Sequence, residues 1–521
     1  MRGMRNLSIL PILILFILIV ILLSYNVQAL PQQEIFTNYR WYNSFYIDTT
    51  YDQAQSNSSV CYGDSLFYTS WIGEKDSNSN HIYVKRIISD SITLDSQPID
   101  VTRRDSIMYY RIDNAYLDEY IFTIYSNSVS VVYGTGEDID ASIINTSNDS
   151  VNKILIDFSY YEEWHNPPYV EYEFRSLHYP VVASDNEKFL IMYDYYYEYT
   201  FFGNTISDGP ALVGKFYNSN GEYLNDFQIS CSNRSNPKSL IFDGENYVLL
   251  LRYNDGTILY ITKIDTSGSI TKQDSISLYS SDIKLEVGTN AVASGNSRYL
   301  VVWSDYTGGS HCIIGRLYSE DLSIIDSSIF VSQDQYVKTY PSIVFDGNNF
   351  IVTWQEYKLD SYNIKGAVVS PFGFVIDSFV IDNNEGDQVD TKLSYGNGHT
   401  LLTYTGWSSH FGTDKIMGIF NKQTAVGIVK KNEKEQSRIR CLIKYCDPNK
   451  VILQYSIEQS SYIKLKLFDI TGRNIKNMDI GDKKGGKHSI SLDCSSLTRG
   501  VYFYNLEYGN NIYSGKINIV R

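Results

Sequence analysis

The sequence predicts an all-β protein: a β-propeller of about seven four-stranded blades, followed by a small Ig-like antiparallel β-sandwich. Three observations carry this expectation. A strand–turn–strand unit recurs about every fifty residues, the scale of a propeller blade. The chain holds 46 tyrosines, a residue type that favours half-buried strands over helices. A fresh, denser strand pattern begins after Lys450.

The clearest unit is Tyr340–Trp354. The runs Ser342–Phe345 and Phe350–Trp354 flank Asp346-Gly347-Asn348-Asn349, a tetrad that tolerates positive φ and so reads as a hairpin turn. Equivalent turns start at Asp185, Asp243, Gly295, Asp346 and Gly396, spaced by 58, 52, 51 and 50 residues. Third and fourth strands follow, as at Ile364–Val369, the Pro371–Gly373 turn and Phe374–Ile381. One such unit cannot bury its own apolar faces, and units wheeled around an axis can. Trp71, Tyr193, Trp303, Trp354 and Tyr404 all close a second strand and are expected to pack between blades. The turn aspartates are expected to cap their own hairpins rather than to catalyse.

Two earlier units are fainter, with turns read at Gly63-Asp64 and at Asp113-Asn114. The long step to Asp185 implies an insertion over roughly 134–173, opening with polar Gly134–Ser150. Its aromatics Tyr160, Tyr161, Trp164 and Tyr169, with Tyr195 and Tyr197 of the next cluster, are the candidate ligand-binding residues. Both clusters follow second strands, which would put them on one face of the disc. Ser44–Ile47 is the candidate strand that closes the ring by completing the last blade.

Met1-Arg2-Gly3-Met4-Arg5, an apolar run from Ile9 to Leu23 and the Val27-Gln28-Ala29 exit predict a secretory signal peptide over 1–29. No other stretch could span a bilayer. With 59 acidic against 44 basic residues, the net charge of −15 argues against a nucleic-acid or anionic-membrane partner. The six cysteines lack zinc-site spacing, and their pairing stays open. Seven scattered histidines form no catalytic or phosphate-cradling motif, and the turns do not match a sialidase-type box. Asp76, Asn78 and Asn80 alternate like calcium ligands but lack the following Gly and the downstream Glu, so a polar hairpin is expected there. No catalytic residue, cofactor or metal is assigned.

The propeller repeats are assigned to 30–429 and a charged linker around Lys430–Glu435 to 430–450; the final domain spans 451–521. Within that domain, Leu465-Lys466-Leu467-Phe468-Asp469-Ile470-Thr471-Gly472-Arg473 resembles the signature of the type IX secretion (Por) C-terminal sorting domain, type A. Ser495–Tyr504 and Tyr513–Arg521 fit the same pattern. Carried over by position, the motif residues are Asp469, Gly472, Arg473, Leu497, Gly500, Tyr502 and Lys516. Read from the residues alone, Gly472 serves a turn, Leu497 and Tyr502 pack a core, and Arg473 and Lys516 are exposed. The resemblance implies a partner, the secretion machinery, and a destination, secreted or on the outer cell surface. The expected function is a non-enzymatic binding module for carbohydrate or surface protein. The alternatives are a propeller-fold glycan hydrolase or lyase and a structural spacer of a surface layer.

Overall fold

The computed structural model describes residues 39–423 and 440–519 apart from short segments, the longest being 279–290. Among the described residues, seven antiparallel sheets form seven blades. Their first strands are Gln55–Gly63, Tyr109–Leu117, Tyr169–Ser184, Ser235–Phe242, Val292–Ser294, Val337–Phe345 and Gln388–Gly396. Each contacts the next in chain order, and the seventh contacts the first, so the strands ring a central channel. The chain is a seven-bladed β-propeller followed by a two-sheet domain.

Strand alternation explains why the ring holds. Along Lys188–Phe201, Phe189, Ile191 and Tyr193 join the core shared with blade two, whereas Leu190 and Met192 join the core shared with blade four. The same two-sided burial repeats around the disc, giving a separate apolar core at each junction between blades. Trp71, Tyr193, Trp303, Trp354 and Tyr404 are at most 1% exposed and all face the preceding blade. The buried hydroxyls find partners there: Tyr193 donates to Asp157 and Tyr404 to Asp382, each the last residue of the preceding blade's outer strand.

The turn aspartates cap their hairpins as expected. Asp185, Asp243 and Asp346 each accept the backbone amides two and three residues on. Glycine just before a turn has a packing reason. A Cβ at Gly396 would lie 2.1 Å from the ring of Tyr62 in the next blade, and one at Gly295 would meet Phe345 at the same distance.

Ring closure is double. Tyr39–Trp41 and Phe45–Tyr46 both pair with Thr413–Gln423, so the closing segment begins upstream of Ser44–Ile47. Ile47 is buried in the junction with blade one, and Asp48 reaches Lys85 of that blade at 3.1 Å.

Two sequence expectations are corrected in blade two. Asp113 and Asn114 lie within the first strand; the hairpin turn is at Asp118, which carries φ 54°. Gly134–Ser150 is no inserted loop, because Gly134–Asn145 is the blade's third strand, with Ile139, Ala141, Ile143 and Ile144 buried. That strand looks polar because Asp138 and Asp140 are buried as ion pairs with Arg103 and Arg104. Tyr125 thereby takes the place in blade two that Tyr193 holds in blade three.

The C-terminal domain stacks a three-stranded sheet on a four-stranded one. Val451, Leu453 and Leu492 from the first interlock with Leu465, Tyr504 and Leu506 from the second. Its first strand, Arg440–Asp447, lies inside the stretch assigned to the linker. Tyr502 is buried in the core, Leu497 packs against it, and Gly500 opens the strand that carries Tyr502. Lys516 lies in Asn511–Ile519 opposite Phe503. Asp469, Gly472, Arg473 and the stretch 1–29, expected to be a signal peptide, lie outside the described residues.

Candidate functional site

Blade three departs from its neighbours by length. Its first three strands run 16, 14 and 15 residues, against 8, 7 and 7 in blade four. At about 3.3 Å per residue, seven extra residues carry the sheet some 23 Å beyond the disc. A further strand, Tyr160–Asn166, pairs along this extension. The two aromatic clusters therefore join one ribbon, on the face that holds the turns following second strands.

Register assigns the ribbon's sides. Tyr160, Arg175 and Tyr197 stand abreast, so with Glu173 and Tyr195 they share one side. Tyr160 and Tyr197 both donate to Glu173, and the Arg175 guanidinium lies 5.4 Å from the Tyr195 ring centre. Tyr161 belongs to the opposite side, 6.1 Å from the ring of Tyr172. There Tyr172 and Tyr196 both donate to Glu198. Hydrogen bonding to Glu198, with burial, pushes the Tyr196 phenol up to about 12; burial and Glu173 likewise raise Tyr160. Trp164 and Tyr169 lie in the strands flanking the ribbon's hairpin, and their side chains are outside the described residues. At the other hairpin, Phe201, Phe202 and Ile206 are 44%, 51% and 63% exposed.

Sequence reasoning placed Tyr172 and Glu198 among the clustered aromatics, with Tyr196 in the same span, but it did not pair them and passed over Glu173. The signal was there in Tyr172-Glu173-Phe174 and Tyr196-Tyr197-Glu198, where alternation sends each glutamate to a different side.

At the ribbon's base, six side chains from blades two to four meet near the channel mouth. Glu137 accepts from Arg111 Nε (3.3 Å) and the Tyr179 amide (3.3 Å), and lies 3.7 Å from His178 Nδ1. Burial alone would raise its carboxyl; the nearby His178 ring and the Arg111 charge outweigh that and hold it below the ordinary range. His178 Nε2 is 2.7 Å from Ser176 Oγ, an order that mimics a nucleophile–base–carboxylate relay. However, Ser176 is 0% exposed and its oxygen also accepts from Arg234, itself paired with Asp194 at 2.9 Å. No substrate carbonyl can reach that hydroxyl, so the cluster acts as a staple between blades.

Deeper in the channel, burial raises the Asp113 carboxyl to about 6 despite bonds from the Val182 amide, Ser59 Oγ and the Asn114 amide. Among the described residues no group of three metal-ligating side chains converges. Asn80, in the stretch with alternating Asp76 and Asn78, is committed to the Tyr109 backbone at 2.6 and 3.0 Å. Among the described residues, no helix is long and apolar enough to cross a membrane.

The propeller is similar to several solved structures. The uncomplexed acylaminoacyl peptidase of Pyrococcus horikoshii is 10% identical with a TM-score of 0.39, over 80% of this chain and 60% of that one. The chain thus spans about three fifths of that peptidase. The β-propeller domain of the Trilobed protease from Pyrococcus furiosus gives 9% and 0.38, over 72% and 97%. A subtype N10 neuraminidase-like protein of A/little yellow-shouldered bat/Guatemala gives 10% and 0.37, over 62% and 95%. No curated protein matches the sequence. Residues 445–520 match the family model of the secretion system C-terminal sorting domain. The chain therefore ends in a type IX sorting domain, which marks it for export and for attachment to, or release at, the cell surface.

Proposed function

We propose that the propeller is a recognition module displayed outside the cell, binding a surface protein through the ribbon of blade three. The apolar tip formed by Phe201, Phe202 and Ile206, carried clear of the disc, is the observation behind this reading. Around it, tyrosines supply rigid, half-exposed contact area at low entropic cost. Glu173 and Glu198 are already clamped by phenols, and the mouth carboxylates are engaged by arginine and histidine. That engagement favours binding over glycan hydrolysis at the ribbon and the mouth, since hydrolysis needs one carboxyl kept free to give up a proton.

The test uses the mature chain against intact cells that display the partner. A Phe201→Ser/Phe202→Ser variant should weaken binding about tenfold or more with an unchanged melting temperature, and protease treatment of the target surface should abolish binding. Binding that survives the variant, or survives protease, overturns this reading, as does release of sugar from a polysaccharide panel.

A further inference from the structure

We propose a second site on the same face, a cleft between blades six and seven that takes a neutral glycan chain with Trp407 as its platform. It stands apart from the ribbon and shares no residue with it. The cleft is an open groove of about 880 Å³, wide enough to admit a chain lying along the surface. Its walls are the Lys358–Ser361 turn of blade six, the connection 383–387, and the facing pair Trp407 and Asp414 of blade seven.

The cleft is built rather than incidental. Trp407 is 43% exposed, unlike Trp71, Trp303 and Trp354, which all lie in cores. Its amide donates to the Asp387 carbonyl (3.1 Å), and Asp387 Oδ1 accepts from the Tyr362 amide (2.8 Å), tying blade seven to blade six. Gly386 lies at φ 87°, and a Cβ there would come within 2.5 Å of Trp407 Cβ. The connection can seat against the tryptophan only because that residue has no side chain.

Charge selects the ligand. Lys365 is paired with Glu356 at 2.7 Å, and the Lys358 ammonium lies 4.7 Å from the Tyr336 ring centre, so both cations have partners within the protein. Asp360, Glu385, Asp387 and Asp414 outnumber them on the lining. Asp387 and Asp414 lie near enough that, after burial, the charge of Asp387 holds the Asp414 carboxyl up. Phosphate, sulfate or uronate groups would be repelled here. Sugar hydroxyls both donate and accept, matching carboxylates beside the Asn363 and Asn383 amides, while a pyranose face stacks on the indole.

Affinity electrophoresis of the mature chain through gels containing laminarin, mannan, xylan or alginate tests this. At least one of the three neutral polymers should retard the protein. Trp407→Ala should weaken that retardation about tenfold, and Asp414→Asn should weaken it more modestly. The Phe201→Ser/Phe202→Ser variant should be retarded like wild type, which separates this site from the ribbon. Trp407 is exposed, so an unchanged melting temperature should accompany the loss; Trp407→Phe, which keeps a ring, should restore part of the binding. Retardation by alginate alone, by none of the four, or equally for Trp407→Ala and wild type would overturn the assignment.

Discussion

Asp48→Ala probes the clasp that closes the ring. Asp48 follows the second closing strand and is fully buried, and the Lys85 side chain it meets in blade one is 5% exposed. It also accepts from Gln55 Nε2 at 3.4 Å. Truncation leaves the Lys85 ammonium buried without its carboxylate, a change that costs about 3–5 kcal/mol. Unfolding entropy of about 2.1 cal/mol/K per residue, over a propeller of nearly four hundred residues, is about 0.8 kcal/mol/K, so the melting temperature should fall by roughly 4–6 °C. Scanning calorimetry of the mature chain measures it. An Asp48→Leu/Lys85→Met variant removes both charges together and should return to within about 1 kcal/mol of wild type. The reasoning fails if Asp48→Ala melts within a degree of wild type, or if the double variant loses as much as the two single changes combined.

Three further outcomes follow from the same cores. Tyr404→Phe removes the hydroxyl that serves buried Asp382 and should cost about 1–3 kcal/mol in urea unfolding. Gly396→Ala drives a methyl into the Tyr62 ring and should cost about 1–3 kcal/mol, whereas Gly398→Ala, where no atom lies within 4 Å, feels only its φ of 75°. The raised Asp113 carboxyl gives a pH signature. Its folded value of about 6 lies above that of an aspartate in an unfolded chain, 3.8, so its protonated form favours the fold at low pH, and that contribution is lost as pH rises from about 4 to 6. Asp113→Asn should remove this loss, and its melting temperature should gain on wild type across that interval; a constant difference would refute it.

Local signals were legible where the chemistry is local. Hairpin turns depend on a few adjacent residues, so Asp185, Asp243 and Asp346 could be read directly, and the fifty-residue period followed from them. Asp113-Asn114 misled for the same reason. It carries the composition of a turn, yet Asp113 sits in a strand because Ser59 and the Val182 amide, from two other blades, satisfy its carboxylate. Gly134–Asn145 failed as a strand signal because its aspartates are neutralised by arginines far from it in sequence. The aromatic clusters were visible, but their union into one ribbon depends on the register between Tyr160–Asn166, Tyr169–Ser184 and Lys188–Phe201.

Sequence alone determined the architecture, the blade repeat, the inter-blade place of Trp303 and Trp354, and the sorting domain, since each is written in short-range pattern. Only the tertiary structure decided which polar groups face one another: Glu173 between Tyr160 and Tyr197, Ser176 sealed beneath Arg234, Trp407 beside Asp414. Backbone periodicity sets which side of a strand a residue occupies, but its partner is set by the register between strands, from 7 residues away for Trp407 and Asp414 to 58 for Ser176 and Arg234, and by the packing of one blade on the next.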